Sequence, residues 1–339
     1  MKLSTFLKSA LATSVAASVM ASQFAYSDTV RLRMHTFYGT EVDQMAEDLQ
    51  ERVEEASDGS IRIQLFRGGE LVDSDQFVDA VARGTLDLAH GVGSYWPGTV
   101  EIGTIEGGLP GAWVNVEEAR DIFANQGLEE LVSEAYAEQG VKVIGRGFGS
   151  DYGLLTREPV DSLEDLKDMR IRATSSIATV LDKFDIPTTF LPGEELYVGI
   201  STGVIDGAVY GGPVEYEQLK LQEVAEYYTD LNLLNPGWTE IAFVNPRKWE
   251  SMTEEQQQIL TDGIDQYLLD VHNWLEEGNQ RIIDEGEMFQ FSTLPEEDSR
   301  RLAEASLPIW EEEAARSERN AKAIDILIEN AKEQGRLSE

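Results

Sequence analysis

Cysteine is absent from all 339 residues. That excludes disulfides, thiolate metal sites, cysteine nucleophiles and haem attached through CxxCH. A chain without disulfides must rely on a large core, which this length allows. Histidine is almost as scarce: His35, His90 and His272 are the only three, and none forms HExxH or another ligand pair. There is no G-x-S-x-G elbow. Gly147-Phe-Gly-Ser-Asp-Tyr-Gly153 lacks the lysine of a phosphate loop and the strand-to-helix setting of GxGxxG. Basic residues are few, 27 against 63 acidic, and only nine of them are lysine. With about one residue in five acidic, no particular pair of carboxylates points to glycoside chemistry. No constellation in the chain asks to be an enzyme.

The first 27 residues are the exception to the acidic pattern. Two lysines precede an Ala/Val/Leu/Met-rich run, and Ala25-Tyr-Ser27 supplies the small residues that signal peptidase cleaves after. The run is too short for a membrane anchor. Cleavage would leave about 312 residues with 25 bases and 63 acids, a charge of −38. Such a chain repels nucleic acid and anionic membranes. Its acids are scattered along helical stretches, as in a surface adapted to high salt. The expectation is an exported, soluble protein of two domains.

The stretch Asp161–Pro213 reads strand, helix, strand, helix, strand with links of a few residues. Such short links imply parallel strands with right-handed crossovers. Met169, Ile171 and Ala173 alternate with Arg170 and Arg172, the pattern of a half-buried strand. Pro187–Leu191 and Ile205–Tyr210 read as the next strands, and Gly193–Thr202 as the helix between them. In open α/β sheets ligands lie at the carboxyl ends of the strands, so Arg172 is expected to face a cleft. A guanidinium suits a carboxylate because its fork donates two parallel hydrogen bonds.

Residues 29–35, 61–66 and 85–89 read as three strands around helices 41–57 and 77–83, a doubly wound opening. Residues 116–138 read as one helix, 141–145 as a strand, and 238–245 as a strand that crosses back between domains. A helix to about Asp284 follows, and another starts at Pro295, with proline and acids in its first turn.

Lys167-Asp-Met-Arg-Ile-Arg172 and Glu195-Leu-Tyr-Val-Gly-Ile-Ser-Thr-Gly-Val-Ile-Asp-Gly207 resemble the solute-binding proteins of tripartite ATP-independent periplasmic (TRAP) transporters. Arg67-Gly-Gly-Glu-Leu and Ala80–Leu88 resemble their first domain. Pro236–Glu240 and Asp206–Pro213 are most similar to the branch that binds small 2-oxo and hydroxy acids. The resemblance implies a two-lobed α/β periplasmic binding protein, each lobe a mixed sheet flanked by helices, with long C-terminal helices bracing the lobes. Lobe 1 is expected over 28–150 with returning segments from about 240–339, and lobe 2 over 151–239. It implies a small organic acid as ligand, membrane permease subunits as partners, and a monomer or homodimer.

In that family the arginine matching Arg172 holds the ligand carboxylate. Glu240 matches an acid on the metal side, and Asp151 falls near another polar ligand, so the two are the candidate holders of a bridging sodium or calcium ion. Tyr38, Tyr95, Trp96, Tyr210 and Trp238 stand at the strand ends as candidate ligand contacts. Val209 occupies the place of a glutamate and Tyr210 that of a tryptophan, so neither metal nor ligand follows from the resemblance. The alternatives are a zwitterion or sugar acid as ligand and, in another class, a secreted hydrolase.

Overall fold

The computed structural model describes residues 29–150, 153–231 and 237–335. The expected signal peptide and Asp151 lie outside them. The strands are β1 (Val30–Thr36), β2 (Ile61–Phe66), β3 (Leu88–Gly91), β4 (Lys142–Phe148), β5 (Leu154–Thr156), β6 (Ile171–Arg172), β7 (Thr188–Thr189), β8 (Gly207–Val209), β9 (Tyr227–Asp230), β10 (Thr239–Val244) and β11 (Gln290–Thr293).

They form two sheets, one in each lobe, with helices on their faces. The first runs β2-β1-β3-β10-β4 and the second β11-β9-β5-β8-β6-β7. The pairings β1–β2, β1–β3, β6–β7 and β6–β8 are parallel, as the short strand-helix-strand links require. The strand after Trp238 does cross back: β10 lies antiparallel between β3 and β4. It is buried along its whole length, as befits a central strand.

Several boundaries move for local reasons. Gly84 has φ +77 as the cap of helix Phe77–Arg83, and the Thr85 and Leu86 N–H groups bond back to the Ala80 carbonyl. Those residues finish the helix, so β3 begins three residues later than expected. The expected helix 116–138 is two, Val116–Asn125 and Leu128–Glu138, broken at Gly127 with φ +93. That backbone is open to glycine and closed to a helix interior. Residues Leu163–Asp168 are a 3-10 helix capped by Ser162 and Asp165, which shortens the strand expected there to Ile171–Arg172. Pro295 is the cap of helix Glu296–Ala314 rather than a member of its first turn.

The C-terminal helices tie the two lobes together. Glu254–Glu285 has 32 residues, about 48 Å at 1.5 Å per residue. Thr253 and Gln256 cap it reciprocally, and Leu260, Ile264, Tyr267, Val271 and Leu275 form its buried stripe. Its Asn279 donates to Ser150 Oγ at 2.7 Å and accepts from the Val214 N–H at 2.9 Å. Helix Glu296–Ala314 reaches the second lobe through Asp298, which accepts from the Leu163 N–H, and the first through Trp310, which donates to the Pro110 carbonyl. β11, which the sequence did not suggest, joins β9 in the second sheet. Among the described residues no helix is long and apolar enough to cross a membrane.

Candidate functional site

Arg172 ends β6 between β7 and β8 and is 1 % exposed. Arg170, two residues away in the alternating run, is exposed, with its guanidinium on the Val204 carbonyl. With only two residues in the strand, alternation does not hold the two arginines on one face. The Arg172 Nε donates to the Leu191 carbonyl at 2.8 Å, Nη1 to the Val209 carbonyl at 2.8 Å, and Nη2 to the Tyr95 hydroxyl at 3.2 Å. The rings of Tyr210, Phe190 and Tyr95 stand 5.1, 5.4 and 5.7 Å from the guanidinium carbon, within reach of cation–π attraction. A guanidinium has five N–H groups. Three are used here, leaving one on each terminal nitrogen, enough for both oxygens of a carboxylate.

Arg172 faces a small cavity between the lobes, about 360 Å³ counting all space between its atoms and the open solvent beside it. Phe37, Ser94 and Tyr95 come to it from the rim of the first sheet. Thr174, Tyr210 and Glu215 come from the second, and Trp238 from the crossing segment. The lobes meet around it: the Ser74 hydroxyl donates to Glu194 at 3.0 Å, and the Tyr95 and Phe190 rings lie 5.2 Å apart, edge to face. Gly149 holds the crossing segment close, its N–H donating to the Trp238 carbonyl at 2.8 Å. A Cβ there would fall 2.1 Å from the Trp238 ring.

Glu215 carries no functional reading in the sequence. It sits at the third position of helix Pro213–Gln218, where its Oε2 accepts from the Gly212 N–H at 2.9 Å. Its one sequence signal, Gly-Pro-x-Glu, is the signature of a helix start and conceals its place on the cavity. Burial pushes its carboxyl well above the ordinary carboxylate range, Gly212 opposes, and Glu240 and Glu41 push further up. Burial likewise pushes the Tyr95 hydroxyl up to about 12, with Arg172 pulling the other way. The phenol therefore stays neutral at physiological pH.

The remaining sequence candidates separate. Tyr95, Tyr210 and Trp238 line the cavity with Arg172. Tyr38 and Glu240 lie behind it: the Tyr38 hydroxyl donates to Glu240 Oε1 at 2.5 Å, and Glu240 Oε2 pairs with His90 Nε2 at 3.1 Å. Burial and then Glu240 hold the Tyr38 phenol well above its usual value. Trp96 turns into the first lobe, where Nε1 donates to the Tyr136 hydroxyl at 2.7 Å and its ring packs on Phe243. That hydroxyl in turn donates to buried Glu106, which is paired with Arg146. Both Glu240 oxygens are engaged by protein groups. Among the described residues no three His, Asp or Glu side chains converge as a metal ion would need. Asp151, the other expected holder of a cation, lies outside the described residues.

A wider opening, about 1010 Å³ counted the same way, leads from solvent past Glu41, Glu194 and Glu223, with Lys220 the cation on its wall. Phe37 and Tyr210 belong to both spaces. A still larger groove runs along the outer strand β4 and holds none of these residues.

The chain matches the family model described as "Bacterial extracellular solute-binding protein, family 7" over residues 38–317. It is 28 % identical over 259 residues to a monocarboxylate 2-oxoacid-binding periplasmic protein of Nostoc sp., covering 74 % of this chain and 71 % of that one. It is 29 % identical over 252 residues to the ectoine-binding periplasmic protein TeaA of Halomonas elongata, covering 72 % and 71 %. In fold it superimposes with a TM-score of 0.85 on a TRAP periplasmic solute-binding protein of Chromohalobacter salexigens solved with (S)-(+)-2-amino-1-propanol. There the identity is 24 %, over 91 % of this chain and 97 % of that one. The chain thus belongs to the family 7 bacterial extracellular solute-binding proteins, the DctP family of TRAP receptors.

Proposed function

We propose that the protein is a receptor without turnover that closes its lobes on a small organic carboxylate and passes it to a TRAP-type membrane permease. The reading includes export to the periplasm with removal of the N-terminal segment. The observation that carries it is Arg172, buried at a strand end in a cavity shared by both lobes, with an N–H on each terminal nitrogen still to be used. Its bonds to the Leu191 and Val209 carbonyls, both of its own lobe, hold the guanidinium in place before a ligand arrives, so little side-chain entropy is lost on binding. The aromatic walls supply the apolar area whose burial drives closure.

The names of the Nostoc and Halomonas relatives support a small acid as the class of ligand. Ser94 and Thr174 bring hydroxyls to the cavity, and the family is one of solute-binding receptors. We read Glu240 as a post that holds Tyr38 and His90 in place, and binding as independent of a metal. The test is a mass spectrum of small molecules released from the purified protein, followed by a thermal-shift panel of organic acids. A receptor gains melting temperature with ligand by linkage and leaves the ligand intact. Sustained conversion of a bound acid would refute the reading.

A further inference from the structure

The cavity that presents Arg172 also presents Glu215. Both side chains are buried, yet Arg172 gives its hydrogen bonds to two carbonyls and a phenol, not to this carboxylate. Glu215 accepts instead from the backbone at Gly212. A cation and a carboxyl group thus share one small space, each held by other partners. Their positions are fixed by one short piece of chain. Arg172 Nη1 is anchored on Val209, the last residue of β8, and Glu215 stands in the first turn of the helix that follows β8.

The walls of the space favour positive charge. Phe37, Tyr210 and Trp238 line it, and aromatic faces attract ammonium groups. The neighbouring opening, which shares Phe37 and Tyr210 with this space, carries three glutamates against one lysine. A simple anion close to it is repelled, whereas a molecule with one charge of each sign is not.

We propose that the ligand is a small zwitterion, its carboxylate on Arg172 and its ammonium on Glu215. The inference rests on the carboxylate reading of Arg172 given above and adds the second charge. In the ligand-free protein burial outweighs the pull of Arg172 and pushes the Glu215 carboxyl toward its acid form. An ammonium at hydrogen-bond distance favours the carboxylate instead, so binding releases a proton from Glu215. A ligand lacking the amine meets either a neutral acid or, at higher pH, a like charge.

The experiment is titration calorimetry with matched pairs of small 2-hydroxy and 2-amino acids, lactate against alanine being the first, on wild type, Glu215→Gln, Glu215→Asp and Arg172→Ala. The amino member of at least one pair is expected to bind wild type at least about 30-fold more tightly than its hydroxy partner. Glu215→Gln is expected to invert that order, weakening the amino acid and strengthening the hydroxy acid. Glu215→Asp keeps the charge on a shorter arm and is expected to retain part of the preference, which separates loss of charge from misfolding. A hydroxy member that binds more tightly in every pair, or an amine preference that survives Glu215→Gln, overturns the proposal. If hydroxy acids bind and Arg172→Ala abolishes it while amino acids do not bind, the zwitterion falls and the carboxylate reading stands. If neither class binds, both fall.

Discussion

Arg172 and Tyr95 meet across the cleft, Nη2 donating to the phenol oxygen at 3.2 Å with the ring 5.7 Å from the guanidinium carbon. One residue ends a strand of the second sheet and the other follows β3 of the first, so the contact ties the two lobes together at the anion site. Removing the phenol oxygen should cost the closed state one hydrogen bond from a charged donor, about 1.5 kcal/mol or more. Tyr95→Phe is expected to lower ligand affinity roughly tenfold in titration calorimetry, with the melting temperature of the ligand-free protein little changed.

Arg172→Ala leaves the ligand carboxylate buried without a partner, at a cost on the order of 2–5 kcal/mol, or roughly 30-fold to several thousand-fold in affinity. Lysine keeps the charge, loses the fork, and should recover only part. Arg170→Ala, exposed just before β6, should bind like wild type. Equal affinities for wild type and Arg172→Ala would remove the central claim.

Glu240 tests the place of metal. Its two oxygens serve Tyr38 and His90, and glutamine retains only one acceptor for the two. Glu240→Gln should therefore lose about 1–3 kcal/mol of stability. A chelator should leave the affinity of wild type unchanged. Affinity that collapses on chelation and returns with calcium or sodium would show a cation in the site.

Glu215 makes stability depend on pH with a definite sign. Its folded-state pKa is raised above the ordinary 4.5. Between those two values the native state holds a proton that the unfolded chain has released, so its contribution falls as pH rises through that interval. The melting temperature of Glu215→Gln should exceed that of wild type at neutral pH, and the gap should close as pH falls toward about 4.5. Parallel curves over the whole range would contradict the assignment.

The 63 acids predict a stability that rises with salt. Their mutual repulsion is screened as the Debye length falls from about 10 Å at 0.1 M to about 3 Å at 1 M. The melting temperature should climb between low and molar sodium chloride, and a flat or falling curve would refute it.

Much of this protein follows from local sequence. The strand 61–66 and helix 77–83 have the expected bounds, because strand alternation and helix periodicity are properties of neighbours along the chain. The parallel pairings around β1 and β6 follow from links too short for any other connection. Arg172 could be placed at a strand end because that position belongs to the topology. Tertiary structure decided the remainder. Trp96 and Tyr95 are adjacent in sequence, yet one packs into the first lobe and the other faces the cleft, since a turn sends neighbouring side chains in different directions. Glu215 reads locally as a helix cap, and only the approach of the other lobe makes it a wall of the cavity. Glu240 lies behind that cavity because Tyr38 and His90, 202 and 150 residues away, take its two oxygens. A buried carboxyl group must find its partners wherever the fold brings them, and no spacing along the chain records which they are.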